Sequence, residues 1–209
     1  IRDSGIPVYD SLDKLDGKGD VVIDFSAPAA VEKALPYCEA HKLPIVVCTT
    51  GLSEELQLKL VQLSRSIPVF KSANMSMGIN VLSELCKRAS AILGANYDIE
   101  IVEQHHHNKL DAPSGTAITL AGDILDRIDR KTHWTSGTTT EPDALEIASV
   151  RRSVVPGIHT VTYESEADVL SITHCAKNRC GFATGAVMAA EFVAGKKGIF
   201  SMKDLLGLE

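Results

Sequence analysis

Hydrophobic and polar positions follow one pattern up to about residue 80 and a different pattern after it. In the first part, short apolar runs alternate with stretches whose apolar residues recur at helical spacing. The pattern predicts strands at 7–9, 20–26, 43–48 and 68–72, with helices at 29–41 and 54–66. Strands and helices that alternate in this way are typical of a parallel sheet with right-handed crossovers.

The second part has strands of another kind. Residues 97–103 alternate between apolar and polar side chains, as a strand with one exposed face does. The other elements predicted in this part are helices at 80–93, 117–130, 182–194 and 201–206, strands at 145–151, 159–165 and 169–175, and a flexible connection at 134–143. We therefore expect an α/β part followed by an α+β part, with the final helices returning to the first.

Composition excludes several classes of protein. Of the 209 residues, 44% are hydrophobic and 23% are charged, a balance that is typical of a globular protein. The net charge of −6 argues against nonspecific nucleic-acid binding, and no apolar run approaches the roughly 18 residues of a membrane helix. The five cysteines include no C-x-x-C pair, so we expect a reduced, cytoplasmic protein without a disulfide framework.

Small and hydroxyl-bearing residues follow three successive strands of the predicted parallel sheet. These loops are Asp24-Phe25-Ser26, Cys48-Thr49-Thr50-Gly51 and Ser72-Ala73-Asn74-Met75-Ser76-Met77-Gly78. Ligands of open parallel sheets bind outside the carboxyl ends of the strands. Helix capping explains any one of these loops, but three in succession favour a ligand, and their groups suit the ribose and carboxamide of a dinucleotide.

The segment 103–117 contains a cluster of ionisable and hydrogen-bonding side chains. Three histidines and Lys109 precede Ser114, Gly115 and Thr116, which open a predicted helix. Backbone N–H groups at a helix start lack internal partners and bind carboxylate or phosphate. Gly115 lets an anion approach the backbone, and Thr116 adds a hydroxyl donor. The segment therefore predicts a carboxylate-binding site beside a cationic acid.

Other interpretations of these residues stay open. His105 and His107 would share one face of a strand and could bind a metal ion. The segment could also be a polar surface loop, or only a helix start. Four more distant residues are interpreted as ordinary solvated positions, and the alternative is that they face the same pocket. These residues are Arg151, Arg152, His159 and Arg179.

The segment 103–117 resembles the signature of the dihydrodipicolinate reductase family, E-x-H-H-x-x-K-x-D-A-P-S-G-T-A, at each position. Four further segments resemble family patterns in the expected order: Asp24-Phe25-Ser26, Thr49-Thr50-Gly51, Ala73-Asn74-Met75-Ser76-Met77-Gly78-Ile79-Asn80, and the stretch from Ile172-Thr173-His174 through Arg179 to Ala186. The resemblance spans essentially the whole chain, and its central motif is highly specific.

The resemblance implies a fold and an activity. It implies an N-terminally incomplete Rossmann-type dinucleotide-binding domain at 1–79, a substrate-binding and tetramerisation domain with a mixed sheet at 80–178, and returning helices at 179–209. The implied reaction is the NADH- or NADPH-dependent reduction of 4-hydroxy-tetrahydrodipicolinate, a small cyclic dicarboxylate, in lysine and diaminopimelate biosynthesis. The implied assembly is a homotetramer.

The resemblance also implies roles for individual residues. His105 and Lys109 are the expected catalytic acid and base groups, and His106, Gly115 and Thr116 are the expected substrate contacts. The expected cofactor contacts are Cys48, Thr49, Thr50, Ala73, Asn74, Met75 and Ser76. No metal ion is expected.

The chain departs from the family pattern in its first part. The family's glycine-rich G-x-x-G-x-M-G loop, which holds the cofactor pyrophosphate, has no counterpart in these residues, and Gly17-Lys18-Gly19 is interpreted as a turn. Cys48 also replaces a usual glycine. Three alternatives therefore stay open: a substrate-binding and assembly module without cofactor binding, a metal-dependent hydrolase, and an oxidoreductase of another Rossmann family.

Overall fold

Residues 5–15 and 19–208 are described by the computed structural model, and they form two units. The first unit contains the described residues up to Met75 and those from Thr184 onward, and the second is Ser76–Ala183. The predicted strand at 7–9 is wrong, since these residues are irregular and a short 3₁₀-helix follows at Leu12–Lys14. Gly17 and Lys18, part of the predicted turn, lie outside the described residues.

In chain order the helices and strands are β1 (Val22–Asp24), α1 (Pro28–His41), β2 (Ile45–Val47), α2 (Glu54–Leu63), β3 (Val69–Lys71), α3 (Met77–Leu93), β4 (Asp98–His105), α4 (Gly115–Leu125), β5 (His133–Ser136), β6 (Ala144–Arg151), β7 (Ile158–Glu164), β8 (Val169–Cys175), α5 (Cys180–Val193), β9 (Ile199–Phe200) and α6 (Met202–Leu206). None of the helices among the described residues has both the length and the apolar character needed to cross a lipid bilayer.

The first unit is built on a parallel sheet with the strand order β1-β2-β3-β9. The inner strand β2 is apolar throughout and fully buried, as strands covered on both faces are. Ser53 begins α2 by accepting a hydrogen bond from the Leu56 backbone N–H at 3.2 Å. The main apolar cluster consists of Val31, Leu35, Cys38, Ile45, Val47, Leu56, Leu60, Leu63, Ile67 and Val69. The predicted α/β architecture of this part is confirmed.

The second unit has a mixed sheet with the order β5-β6-β4-β7-β8. Its central strand β4 pairs in parallel with β6 and antiparallel with β7. Apolar residues of α3 and α4 pack with one face of this sheet, and the buried cluster is Ile79, Leu82, Cys86, Ile99, Ile101, Ala117, Leu120, Ala121, Ile124, Ile128, Leu145, Ile147, Val161 and Tyr163. The predicted mixed sheet is confirmed.

Two strands of the structure are absent from the sequence prediction. The region predicted as a flexible connection contains β5, which pairs in parallel with the edge of β6. Trp134 packs against the core there, and Lys131 Nζ donates to the Ala144 carbonyl oxygen at 2.8 Å. The two-residue strand β9 extends the first sheet. Both are edge strands, and their short, polar or isolated runs give little periodic signal.

Candidate active site

The alternation of β4 brings a polar pair to the end of the apolar core. Ile99, Ile101, Glu103 and His105 occupy alternate positions and therefore face the same side of the sheet. The two isoleucines lie in the core, while the Glu103 side chain is 0% exposed and His105 is 7% exposed. A buried carboxylate requires partners that satisfy its charge and its hydrogen bonds, and neighbouring strands supply them.

Glu103 makes contacts with both of its carboxylate oxygens. Oε2 contacts His105 Nδ1, and Oε1 accepts a hydrogen bond from Arg151 Nη2 at 2.9 Å. Arg151 lies opposite His105 in the pairing of β4 with β6, and it also donates to the Asp111 carbonyl oxygen at 2.7 Å. Burial alone would raise the pKa of Glu103, but hydrogen bonds, above all from Arg151, hold this pKa below its ordinary value. The carboxylate is therefore ionised.

His159 extends the network to the start of α4. It lies opposite Glu103 on β7 and is 4% exposed, with its ring centroid 5.2 Å from that of His105. Its Nε2 is 3.1 Å from the Ser114 hydroxyl, and this hydroxyl also accepts from the Ala117 N–H at 3.2 Å to cap α4. Burial, assisted by the neighbouring His105, lowers the pKa of His159 to about 4. His159 is therefore neutral at pH 7.

The loop between β4 and α4 carries an exposed ion pair. Lys109 Nζ lies 2.8 Å from each carboxylate oxygen of Asp111. The Lys109 hydrogen bond is the largest cause that lowers the pKa of Asp111, and the Gly115 backbone N–H contributes in the same direction. Gly115 opens α4 and is exposed, with open space where a side chain would stand. An anion could therefore approach this helix start directly.

The structure separates the three consecutive histidines. His105 ends β4 and is buried, His106 is half-buried, and His107 is exposed beyond the strand. A metal site formed by His105 and His107 would require both residues to lie on one face of a strand. Because β4 ends at His105, its alternation does not continue to His107. Within residues 5–15 and 19–208, one group of side chains is close enough to hold a metal ion, and it consists of the exposed His133, Glu141 and Asp143.

Hydroxyl and carboxylate groups cluster at the carboxyl ends of β1 and β2. Ser26 donates from its backbone N–H to Thr49 Oγ1 at 3.0 Å and from its hydroxyl to Asp24 at 2.8 Å. Beside them Phe25 presents an aromatic ring that is 56% exposed, and Thr50 is exposed. An exposed ring next to hydroxyl groups fits the flat nicotinamide of a pyridine nucleotide and its carboxamide.

The remaining expected cofactor residues differ in accessibility. Cys48 is buried, and burial, with the nearby Asp24 carboxylate, raises the pKa of its thiol to about 12, so this side chain is a neutral packing group. Ala73 is exposed and Asn74 half-buried, whereas Met75 is buried. Ser76 belongs to the second unit, where its hydroxyl accepts from the Ile79 N–H at 3.4 Å and caps α3.

Much of the buried network was not predicted from the sequence. The interpretation of Arg151 and His159 as solvated residues is wrong, because Arg151 is paired with Glu103 and His159 is almost fully buried. A signal was present in β4, where Glu103 continues the period-two pattern of buried apolar positions. A carboxylate at a core-facing position predicts a cationic partner on a neighbouring strand. The partner's identity depends on strand order, which periodicity does not give.

Comparison with known proteins identifies the family. The family model described as "Dihydrodipicolinate reductase, N-terminus" matches residues 1–75, and "Dihydrodipicolinate reductase, C-terminus" matches residues 78–206. The 4-hydroxy-tetrahydrodipicolinate reductase of Clostridium novyi (strain NT) is 40% identical over 205 residues, which cover 96% of this chain and 81% of that relative. The enzyme of the same name from Caldanaerobacter subterraneus subsp. tengcongensis is 42% identical over 206 residues, with 96% and 82% covered.

A solved structure agrees with these matches. The dipicolinate-bound dihydrodipicolinate reductase from Paenisporosarcina sp. TG-14 superposes with a TM-score of 0.75 at 25% sequence identity, over 88% of this chain and 72% of that one. Both family models, the curated relatives and this structure point the same way as the His-His-to-Ser-Gly-Thr motif. The chain belongs to the dihydrodipicolinate reductase family.

Proposed function

We propose that the chain reduces 4-hydroxy-tetrahydrodipicolinate to tetrahydrodipicolinate. One hydride from NADH or NADPH and one proton are consumed, and the oxidised nucleotide and one water are released. The observation that carries the proposal is the open start of α4 at Gly115, with Lys109 in the preceding loop and the buried His105 at the end of β4. Lys109 is close enough to His105 to lower the pKa of that imidazole.

The chain's donors suit a substrate with two carboxylates. Backbone N–H groups at a helix start carry partial positive charge, and hydrogen bonds to a charged acceptor are stronger than neutral ones. Gly115 and Thr116 would bind one carboxylate from the start of α4. Lys109 already holds a carboxylate, that of Asp111, in a bidentate contact. A substrate carboxylate offers Lys109 the same charge and geometry, and His106 is the proposed further substrate contact.

Proton delivery is the chain's own part of the chemistry. When bound, the nicotinamide supplies the hydride. Lys109 is the proposed general acid, because its ammonium group is a donor on the loop that precedes the anion-binding helix start. His105 is the proposed second acid–base group. Burial lowers the pKa of His105 while the Glu103 carboxylate opposes that change, so the imidazole is neutral at pH 7 and can accept a proton.

The nucleotide is proposed to bind at the carboxyl ends of the parallel strands. The exposed Phe25 ring and the hydroxyl groups near Asp24 support this location. The contacts proposed here are Cys48, Thr49, Thr50, Ala73, Asn74, Met75 and Ser76. Titration of the full chain with NADH and with NADPH measures both the affinity and the preference. Dicarboxylate binding without binding of either nucleotide would instead support a substrate-binding module.

The chain is further proposed to assemble as a homotetramer through its mixed sheet. The sheet face opposite the buried network carries hydroxyl pairs, Thr160 with Thr173 at 3.0 Å and Thr162 with Ser171 at 3.3 Å. The edge strand β8 also exposes Val169 and Leu170. An exposed edge strand of this kind can pair or pack with another chain. Sedimentation equilibrium should give four times the chain mass, and a monomer would refute this assembly.

One experiment tests the activity directly. Oxidation of NADH or NADPH is followed with purified protein in the presence and absence of 4-hydroxy-tetrahydrodipicolinate. We expect substrate-dependent oxidation that pyridine-2,6-dicarboxylate inhibits competitively and that a chelator leaves unchanged. Nucleotide oxidation that does not depend on the substrate, or turnover lost on chelation, would contradict the proposal.

A further inference from the structure

The two carboxylate oxygens of Glu103 contact different partners. Oε1 accepts from Arg151 Nη2 at 2.9 Å, whereas Oε2 contacts His105 Nδ1. An ionised carboxylate only accepts hydrogen bonds, so the imidazole nitrogen that faces it must carry the hydrogen. Because a neutral histidine holds a single ring hydrogen, the other nitrogen, Nε2, is then an unprotonated acceptor.

We propose that Glu103 is a positioning residue for His105, which fixes the imidazole with its hydrogen on Nδ1 and leaves Nε2 to exchange a proton in the reaction. Arg151 holds the carboxylate in place and in its ionised form. This inference rests on the proposed function, since it assigns a partner to a residue of the proposed site. A purely structural ion pair would need only Arg151 and Glu103, and would not account for the contact with His105.

The surroundings of His105 leave few other candidates for this role. Glu103 comes from its own strand, Arg151 from β6, His159 from β7 and Lys109 from the following loop. Of these groups, Glu103 alone is anionic. Burial, Lys109 and Arg151 lower the pKa of His105, and the Glu103 carboxylate opposes them. Loss of this carboxylate would therefore make His105 harder to protonate.

Gly157 keeps space beside the opposite nitrogen. A Cβ atom at this position would stand 3.0 Å from His105 Nε2, closer than an ordinary van der Waals contact. The glycine precedes β7 and its carbonyl oxygen accepts from the Ala176 N–H at 2.9 Å. The imidazole is thus held by a carboxylate on one side, and a residue without a side chain faces the other.

The tautomer can be measured in the unaltered protein. Nitrogen NMR of the full chain labelled at its seven histidines distinguishes protonated from bare ring nitrogens, and a His105→Asn spectrum assigns the His105 signals. We expect a protonated Nδ1 and a bare Nε2 at pH 7. A protonated Nε2 with a bare Nδ1 would overturn the inference. This measurement needs neither substrate turnover nor a folded Glu103 variant.

Kinetics of Glu103→Gln supply the second test. The amide preserves shape but removes the charge, so we expect kcat to fall by roughly 10- to 100-fold, the loss found when the carboxylate partner of a metal-bound histidine is removed. KM should stay within about twofold, and the limb of the pH profile that reports His105 should move to lower pH. Unchanged kcat together with an unmoved limb would overturn the inference.

A matched control is available in the same sheet. Glu146 lies on β6, is partly buried, and accepts from the Thr139 N–H at 2.9 Å without contacting His105. Glu146→Gln should leave both kcat and the pH profile unchanged, and an equal fall in this variant would count against a specific role for Glu103. If the wild type shows no reductase activity, the proposed function fails, but the NMR result still decides the tautomer.

Discussion

Lys109 Nζ lies 2.8 Å from both carboxylate oxygens of Asp111, two residues further along the same loop. The contact pairs the proposed proton donor with an internal carboxylate, although the proposed substrate brings carboxylates of its own. The Lys109 side chain is 21% exposed and that of Asp111 is 58% exposed, so water screens the pair. Asp111 is therefore a weak competitor that a substrate carboxylate can displace.

Asp111→Asn should tighten dicarboxylate binding. The substitution removes the internal acceptor, and an exposed ion pair contributes about 0.2–1 kcal/mol, which corresponds to at most about a fivefold gain in affinity. Calorimetric titration with pyridine-2,6-dicarboxylate measures the change. Asp98→Asn is the control, because Asp98 forms an exposed pair with Arg130 at 3.1 Å. Weaker binding by Asp111→Asn would show that Asp111 instead orients Lys109 for the substrate.

Lys109→Ala should lower kcat strongly. A positioned proton donor typically contributes about 10²–10⁴-fold in rate, while the proposed nucleotide contacts other than Ser76 lie in the first unit. We therefore expect kcat to fall by at least about 100-fold and nucleotide affinity to stay the same. Steady-state rates and nucleotide titration measure the two effects. Lys14→Ala, which removes an exposed pair with Asp10, should change neither, and wild-type turnover by Lys109→Ala would remove Lys109 from its role.

Thr116→Val should weaken dicarboxylate binding. The loss of a hydrogen bond to a charged group costs about 1–3 kcal/mol, or roughly a 30-fold loss in affinity near the middle of that range. The matched control is Thr119→Val, one turn further along α4, where the hydroxyl donates to the Gly115 carbonyl oxygen at 3.0 Å. Calorimetry with pyridine-2,6-dicarboxylate compares the two variants, and equal affinities would exclude a substrate contact at Thr116.

Buried His159 should make stability depend on pH. Its pKa is lowered from 6.5 to about 4, so between these values the unfolded chain binds a proton that the folded chain does not. The contribution of neutral His159 to the free energy of unfolding is therefore fully present above the unfolded pKa. It decreases as the pH falls, by about 2 kcal/mol at pH 5. Urea unfolding of wild type and His159→Gln at pH 7 and pH 5 isolates this contribution. Equal pH dependence in both proteins would contradict it.

Periodicity was sufficient to predict most of the fold. The apolar run of β2 and the alternation of β4 each predict a strand, because burial on two faces or one face leaves a direct pattern in the sequence. Ser114 was equally informative, because the sequence placed it at the start of a helix and its hydroxyl caps α4. The edge strand β5 was missed because its partly exposed residues need no regular alternation.

The site could be predicted only where its residues are close in sequence. Lys109 and Gly115 stand within one segment and were recognised from it. Arg151 and His159 reach Glu103 and His105 from two other strands, one parallel and one antiparallel to β4. Such contacts depend on strand order and register, which are properties of the folded sheet.

Glu103, His159 and His174 form one row across β4, β7 and β8, since His159 lies opposite both of the others. Side chains of a strand alternate between the two faces of the sheet, so a shift by one residue moves every side chain to the other face. A shift of β8 by one residue against β7 would therefore carry His174 to the hydroxyl-bearing face while His159 stayed buried. The register of this hairpin, far from the motif in sequence, thus decides whether His174 and His159 share a face.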